Sequence, residues 1–125
     1  MIHLDTSVLI DSLSGPKRSA AALRGAFEKG ERVLLSSLVL YEWLRGRRLP
    51  EELAAQEALF PRETAVAFGF EEAAMSADLY RTARRGRGRE MDLAIAATAL
   101  SQNAALWTLN TDDFRDIAGL TLYRP

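Results

Sequence analysis

The sequence predicts an α/β fold in which a short, mainly parallel sheet is covered by helices. Short apolar segments alternate with longer helical ones along the 125 residues, and strands that are connected through helices run parallel. The predicted strands are Met1–Leu4, Val33–Leu35 and Ala105–Leu109. A chain of this length forms one hydrophobic core, so we expect a single domain over residues 1–125.

Apolar residues at helical spacing, together with capping residues, predict the helices between these strands. Helices are expected over Thr6 to about Leu13, Ser19–Lys29, Leu38–Leu44, Glu51–Phe60, Glu71–Arg84, Met91–Leu100 and Asp112–Ile117. Thr6 or Ser7 is the expected N-cap of the first helix, because hydroxyl side chains accept hydrogen bonds from free backbone N–H groups. Two further strands are predicted at Thr64–Phe68 and Leu120–Tyr123.

The composition excludes several classes of protein. The chain has no cysteine and one histidine, His3, so disulfide scaffolds, thiolate metal sites and His-rich zinc sites are excluded, and any metal must be held by oxygen. The formal net charge of −1 gives no overall attraction to nucleic acid, so binding to it requires a local basic patch. No apolar stretch approaches membrane-spanning length and no signal peptide is visible, so we expect a cytoplasmic protein.

A few carboxylates lie where a parallel sheet places ligand-binding groups. Asp5 follows the first predicted strand, and Asp112 and Asp113 follow the last one. Asp92 lies at the start of a helix, and Glu42 lies in a helix that is apolar on almost all sides. The ordinary structural explanations are capping and favourable interaction with the helix dipole, and for Glu42 an ion pair three residues along its helix.

Taken together, these acids predict a metal site. Carboxylates gathered at one edge of a sheet repel one another unless a cation neutralises them. Hard divalent cations such as Mg²⁺ and Mn²⁺ take oxygen ligands, and Mg²⁺ commonly joins a carboxylate site to substrate phosphates. The pattern therefore indicates phosphodiester chemistry, for which two ions about 4 Å apart can activate water and stabilise the leaving oxygen.

Two other uses of an Asp after the first strand fit the sequence poorly. A phosphatase with an aspartyl nucleophile needs a second Asp two residues later, where this chain has Ser7, and a lysine near the phosphate. A phospho-accepting signalling domain needs a late lysine after a strand, but no lysine follows Lys29. A catalytically inactive protein-interaction module with the same fold remains an open alternative.

Three segments and one residue resemble the PIN-domain ribonucleases, and in particular their short VapC-like toxin subset. Met1–Asp11 resembles the family's opening, Arg89–Leu100 its third-acid helix, and Thr108–Phe114 its Thr-x-Asn-x-x-Asp-Phe ending. Glu42 falls where the acidic helix residue of that family belongs. The match extends over nearly the whole chain, with the motifs in order.

The resemblance implies a three-layer α/β/α sandwich around a short, mainly parallel sheet. It also implies a Mg²⁺- or Mn²⁺-dependent endoribonuclease, the toxin of a toxin–antitoxin pair, that forms a homodimer and binds a cognate antitoxin. The acids implied to be both catalytic and metal-binding are Asp5, Glu42, Asp92 and Asp113. The supporting residues implied near the metal are Thr6, Asn110 and Asp112, and it stays open which of Asn110, Asp112 and Asp113 contacts metal.

Arginines make up 14 of the 16 basic residues, and several of them precede Asp92. An arginine-rich loop is usually only solvated. As a set, however, these side chains can supply the positive rim with which an acidic centre holds an RNA backbone. The RNA-binding candidates are Arg84, Arg85, Arg87 and Arg89.

Overall fold

The computed structural model describes residues 1–125 and has six helices around a three-stranded parallel sheet. The strands are β1 (Ile2–Leu4), β2 (Val33–Leu34) and β3 (Ala105–Trp107). The helices are α1 (Thr6–Leu13), α2 (Ala20–Glu28), α3 (Ser37–Arg45), α4 (Pro50–Leu59), α5 (Phe70–Thr82) and α6 (Glu90–Ser101). This architecture is the α/β/α sandwich that the sequence predicts.

Strand β1 lies in the centre of the sheet, which has the order β2-β1-β3. Ile2 pairs with Val33 on one side and with Ala105 on the other, and both pairings are parallel. The chain therefore leaves β1 towards one edge of the sheet and later returns to the opposite edge. The order in which strands are added to the sheet thus reverses between β1 and β3. Open parallel sheets bind ligands at such a reversal, beyond the carboxyl ends of the strands.

Helices α1 and α6 connect the sheet to the outer helices. Helix α1 packs against β1, α2, α3 and α4, and α6 packs against β3, α3 and α5. Large apolar side chains fill the space between them, and Trp43 of α3 is fully buried. The Arg48 guanidinium lies 4.1 Å from the centre of the Trp43 ring, which favours a cation–π contact. No helix is long and apolar enough to cross a membrane.

Three sequence-based element predictions are wrong. Residues 64–68 form no strand: a 3₁₀ turn over Arg62–Thr64 is followed by a single bridge between Val66 and Ser36. The helix predicted over Asp112–Ile117 is only a 3₁₀ turn, Thr111–Asp113. The last strand is reduced to one bridge, between Leu122 and Leu106. Each segment is too short for its local pattern to compete with the packing around it.

His3 is the one histidine, and it lies inside the sheet on β1. It is 1% exposed, and neither ring nitrogen has a hydrogen-bond partner. Burial, with a smaller contribution from the N-terminal charge, lowers the pKa of His3 from 6.5 to about 4. The imidazole is therefore neutral in the folded protein at neutral pH, and protonation favours the unfolded chain.

We predict that His3→Leu removes one contribution to the loss of folding stability at acidic pH. The folded state takes up this proton only near pH 4, whereas the unfolded chain takes it up near pH 6.5, so wild-type stability falls as the pH decreases through that window. Relative to the variant, the wild type should lose up to about 3 kcal/mol of unfolding free energy between pH 7.5 and pH 4. Urea denaturation of both proteins across this range measures the difference. A difference that does not change with pH would contradict the assignment.

Candidate active site at the carboxyl edge of the sheet

The sheet topology brings Asp5 beside the end of β3. Asp5 directly follows β1 and its backbone N–H donates to the Trp107 carbonyl of β3 at 2.8 Å. Residues after β1 and after β3 therefore meet at one edge of the sheet. This is the convergence that parallel strands of this order impose.

Hydroxyl groups hold the Asp5 carboxylate, which is 4% exposed. Its Oδ2 accepts hydrogen bonds from Ser7 Oγ at 2.9 Å and from Thr108 Oγ1 at 2.7 Å. Ser7 Oγ also accepts the Leu109 N–H at 3.1 Å, so the turn after β1 is tied to the turn after β3. The prediction that Thr6 or Ser7 caps α1 is wrong: Asp5 occupies the N-cap position, and no side chain caps this helix.

Glu42 lies on α3 with its side chain 18% exposed, as the apolar sequence around it predicts. Thr6 Oγ1 donates to Glu42 Oε1 at 2.5 Å, which joins α3 to the start of α1. Arg45 approaches the other oxygen at 3.4 Å and is itself 56% exposed. The ion pair expected from the sequence therefore exists. The shorter contact of the Glu42 carboxylate, however, is its hydrogen bond with Thr6.

Asp92 lies in the first turn of α6 and connects the acids electrostatically. Burial, followed by the negative charges of Asp5, Asp113 and Glu42, raises the pKa of Asp92 from 3.8 to about 6, against an opposing effect of Arg89. The charges of all three other predicted acids thus act on one carboxyl group. Placing the four ionised groups together is unfavourable without a neutralising cation.

The residues after β3 are the exposed part of the site. Asp113 lies in the 3₁₀ turn, and the buried ring of the next residue, Phe114, anchors it. Asp112 is exposed and pairs with Arg115, its neighbour three residues along the chain. The Asn110 backbone N–H donates to Thr108 Oγ1 at 3.0 Å, and so continues the network around Asp5.

Arg89, the N-cap residue of α6, differs from the other predicted RNA-binding arginines. Its guanidinium donates two parallel hydrogen bonds to Asp116, at 2.8 and 2.9 Å, and its side chain is 13% exposed. These bonds raise the pKa of Arg89 and lower the pKa of the Asp116 carboxyl. The guanidinium is therefore occupied inside the protein.

Arg84, Arg85 and Arg87 are exposed on the loop before α6. Arg84 and Arg85 border an open pocket of about 380 Å³ that is lined by both signs of charge. The lining residues are Arg84, Arg85, Arg89, Asp112, Asp113 and Asp116. The pocket joins the basic loop before α6 to the acidic turn after β3.

The donor chemistry of this site fits a hydrated divalent cation. No group of three or more His, Asp or Glu side chains is arranged to hold a metal ion as it stands. Mg²⁺, however, keeps several of its waters and is usually held through only one or two carboxylates. The all-oxygen donor set and the raised pKa of Asp92 fit a cation of that kind.

Sequence reasoning missed three residues of this site: Ser7, Thr108 and Asp116. The two hydroxyls hold Asp5, and Asp116 holds Arg89. The sequence offered a clue to Thr108, because this residue begins the segment that resembles the ending of PIN domains. For Asp116 the only clue in the sequence was weak: it is an acidic residue three positions after Asp113.

Comparisons with known proteins agree with this geometry. The family model described as PIN domain matches residues 2–120. Ribonuclease VapC19 from Mycobacterium tuberculosis is 35% identical over 114 residues, which are 89% of this chain and 90% of that protein.

Two solved structures share the fold at lower identity. DNA-bound VapBC from Salmonella typhimurium is 23% identical, with 98% of this chain and 96% of that chain covered and a TM-score of 0.75. The toxin–antitoxin complex from Klebsiella pneumoniae is 24% identical, with both chains fully covered and a TM-score of 0.74. From the family model, the relative and the arrangement of the acids, we conclude that the chain belongs to the PIN domain family.

Proposed function

We propose that the protein is a divalent-metal-dependent endoribonuclease and the toxin of a toxin–antitoxin pair. The observation that carries the proposal is the meeting of acids at the carboxyl edge of the sheet, where Asp5 follows β1 and bonds to the end of β3. Burial and then the charges of the neighbouring acids raise the pKa of Asp92 there. The 35% identity to a ribonuclease supports the reaction. PIN-domain ribonucleases generally depend on divalent metal, which supports the cofactor class.

Asp5 and Asp92 are the proposed principal metal ligands, with Glu42 and Asp113 as further acids that contact the metal directly or through water. Mg²⁺ or Mn²⁺ is the proposed cofactor, because each favours oxygen ligands. When bound, such a cation supplies water activation and stabilises negative charge on the phosphodiester. Which of Asn110, Asp112 and Asp113 completes the site is part of the proposal to be tested.

The chain's own contribution is to keep these acids in place and to bind the RNA backbone. Ser7 and Thr108 fix one oxygen of Asp5, and Thr6 fixes one oxygen of Glu42. Hydroxyl donors add no positive charge, whereas a lysine or arginine partner would offset the negative charge of the carboxylate. Exposed arginines supply the positive charge that a phosphate backbone needs. The proposed RNA-binding residues are Arg84, Arg85 and Arg87.

We predict that the purified protein cleaves RNA with Mg²⁺ or Mn²⁺ and that EDTA stops the reaction. Asp5→Asn and Asp92→Asn should each lower the rate by about 100-fold or more, the scale of removing a group that stabilises a transition state. Gel analysis of a mixed RNA substrate measures cleavage.

Asp78→Asn is the matched control for these two variants. Asp78 is exposed on α5 and pairs there with Arg81, so its loss of charge should leave cleavage unchanged. Circular dichroism checks that all three variants are folded. Unchanged cleavage in both Asp5→Asn and Asp92→Asn would refute the proposal and favour a catalytically inactive PIN-like interaction module.

The raised pKa of Asp92 also predicts that this acid destabilises the metal-free fold. The folded protein releases this proton near pH 6 and the unfolded chain near pH 3.8, so the stability falls as the pH rises through that window and stays lower above it. Without metal, Asp92→Asn should be more stable than wild type by about 1–2 kcal/mol at pH 7.5. The gain should disappear near pH 4.

Urea denaturation in EDTA at the two pH values measures this effect, with Asp78→Asn again as the control that should show no gain. A variant that is less stable than wild type at pH 7.5 would show that Asp92 is not under electrostatic strain. The result is independent of any RNA substrate.

Two protein partners belong to the proposal: a cognate antitoxin and a second copy of the chain. The Klebsiella pneumoniae structure is a toxin–antitoxin complex, which supports the first. Exposed apolar side chains support a protein interface, among them Tyr41 and Leu44 on α3, and Phe70, which is 88% exposed.

We predict that an arginine-bearing segment of the antitoxin inserts among the acids and inhibits cleavage. The unneutralised charge around Asp92 favours a cationic side chain there. Addition of purified antitoxin should stop RNA cleavage, and replacing its inserted arginine by alanine should restore it. A structure of the complex in which the antitoxin lies wholly away from Asp5 and Asp92 would contradict this prediction.

A further inference from the structure

The Arg89 guanidinium joins three separate segments of the chain. Besides its two bonds to the Asp116 carboxylate, it donates to the Asp113 carbonyl at 2.8 Å and to the Arg85 carbonyl at 3.2 Å. One planar group thus links the start of α6, the basic loop before it and the turn after β3.

This linkage acts on an exposed acid of the site. Asp113 is exposed and belongs to a turn of only three residues. The turn is held by the Asp113 N–H bond to the Asn110 carbonyl at 2.9 Å and by the buried Phe114 ring. The first of these contacts is internal to the turn, and the Phe114 ring lies in the hydrophobic core that α6 also lines. The bond from Arg89 to the Asp113 carbonyl is a polar link between the turn and the start of α6, and α6 carries Asp92 three residues after Arg89.

We propose that Arg89, oriented by Asp116, is a positioning residue that holds Asp113 against Asp92. Arg89 reaches the reaction only through the acid that it places, so it is not a catalytic residue. This inference rests on the proposed function, in which Asp113 and Asp92 serve one metal site. The bidentate contact of Arg89 with Asp116 requires a planar guanidinium. A lysine ammonium carries the same charge but cannot donate two parallel hydrogen bonds in this geometry.

The conservative variant Arg89→Lys separates positioning from charge. It keeps the positive charge beside Asp92 and loses the paired bonds to Asp116. Asp116→Asn gives a second test, because it keeps one acceptor oxygen and loses the negative charge. Arg62→Lys is the matched control: Arg62 pairs with Glu57 at 3.6 Å in an exposed ion pair, with side chains 74% and 42% exposed.

Two readouts are measured on each protein: Mn²⁺ affinity by titration calorimetry without RNA, and kcat and KM for RNA cleavage. For Arg89→Lys we expect kcat about tenfold lower with a nearly unchanged KM, because a small displacement of a reacting group has effects of this size or larger. We also expect Mn²⁺ to bind several-fold more weakly. Asp116→Asn should lower both kcat and Mn²⁺ affinity, but by less than Arg89→Lys does.

Wild-type kcat and Mn²⁺ affinity in Arg89→Lys would overturn the inference, since a point charge would then be sufficient. A raised KM with unchanged kcat would also overturn it, because it would assign Arg89 to RNA binding. If wild type binds Mn²⁺ but cleaves no RNA, the proposed function fails, while the calorimetric comparison still decides whether Arg89 positions the metal-binding acids. Equal losses in Arg62→Lys would mean that the effect is not specific to Arg89.

Discussion

The burial and mutual repulsion of carboxylates at one edge of the sheet are the constraint on which the candidate site depends. The effect is clearest at Asp92, because burial and neighbouring negative charges raise the pKa of this carboxyl group to about 6. Such an arrangement lowers stability, a cost that functional sites commonly carry. The fold tolerates it through neutral donors: Thr6 on Glu42, and Ser7 and Thr108 on Asp5. These hydroxyls satisfy the acids without removing their charge.

The overall architecture could be predicted from the sequence because its signals are long or strongly apolar. The helix expected over 91–100 is found as Glu90–Ser101, and the one expected over 71–84 as Phe70–Thr82. Short segments failed, as at 64–68 and 112–117. There, three or four residues with weak preferences take whatever conformation neighbouring elements impose, and no local pattern contains that information.

The acids of the candidate site could be proposed from the sequence, but the residues that hold them in place could not. Asp5 and Asp92 are recognisable because strand ends and helix starts are visible in sequence, and a parallel sheet brings them to one edge. Arg89 was predicted to bind RNA because it lies in a basic loop. In the structure its guanidinium pairs with Asp116, which is 27 residues away. Contacts of that separation depend on how β3 is placed relative to α6, which only the folded chain defines.

The proposed activity depends on a divalent cation binding between these acids, and an anomalous-scattering experiment on crystals grown with Mn²⁺ tests this most directly. We expect a strong anomalous peak at ligand distance from carboxylate oxygens of Asp5 and Asp92, with Glu42 and Asp113 contacting it directly or through water. Manganese peaks confined to other surfaces, or Asp5 and Asp92 pointing away from each other, would contradict the account.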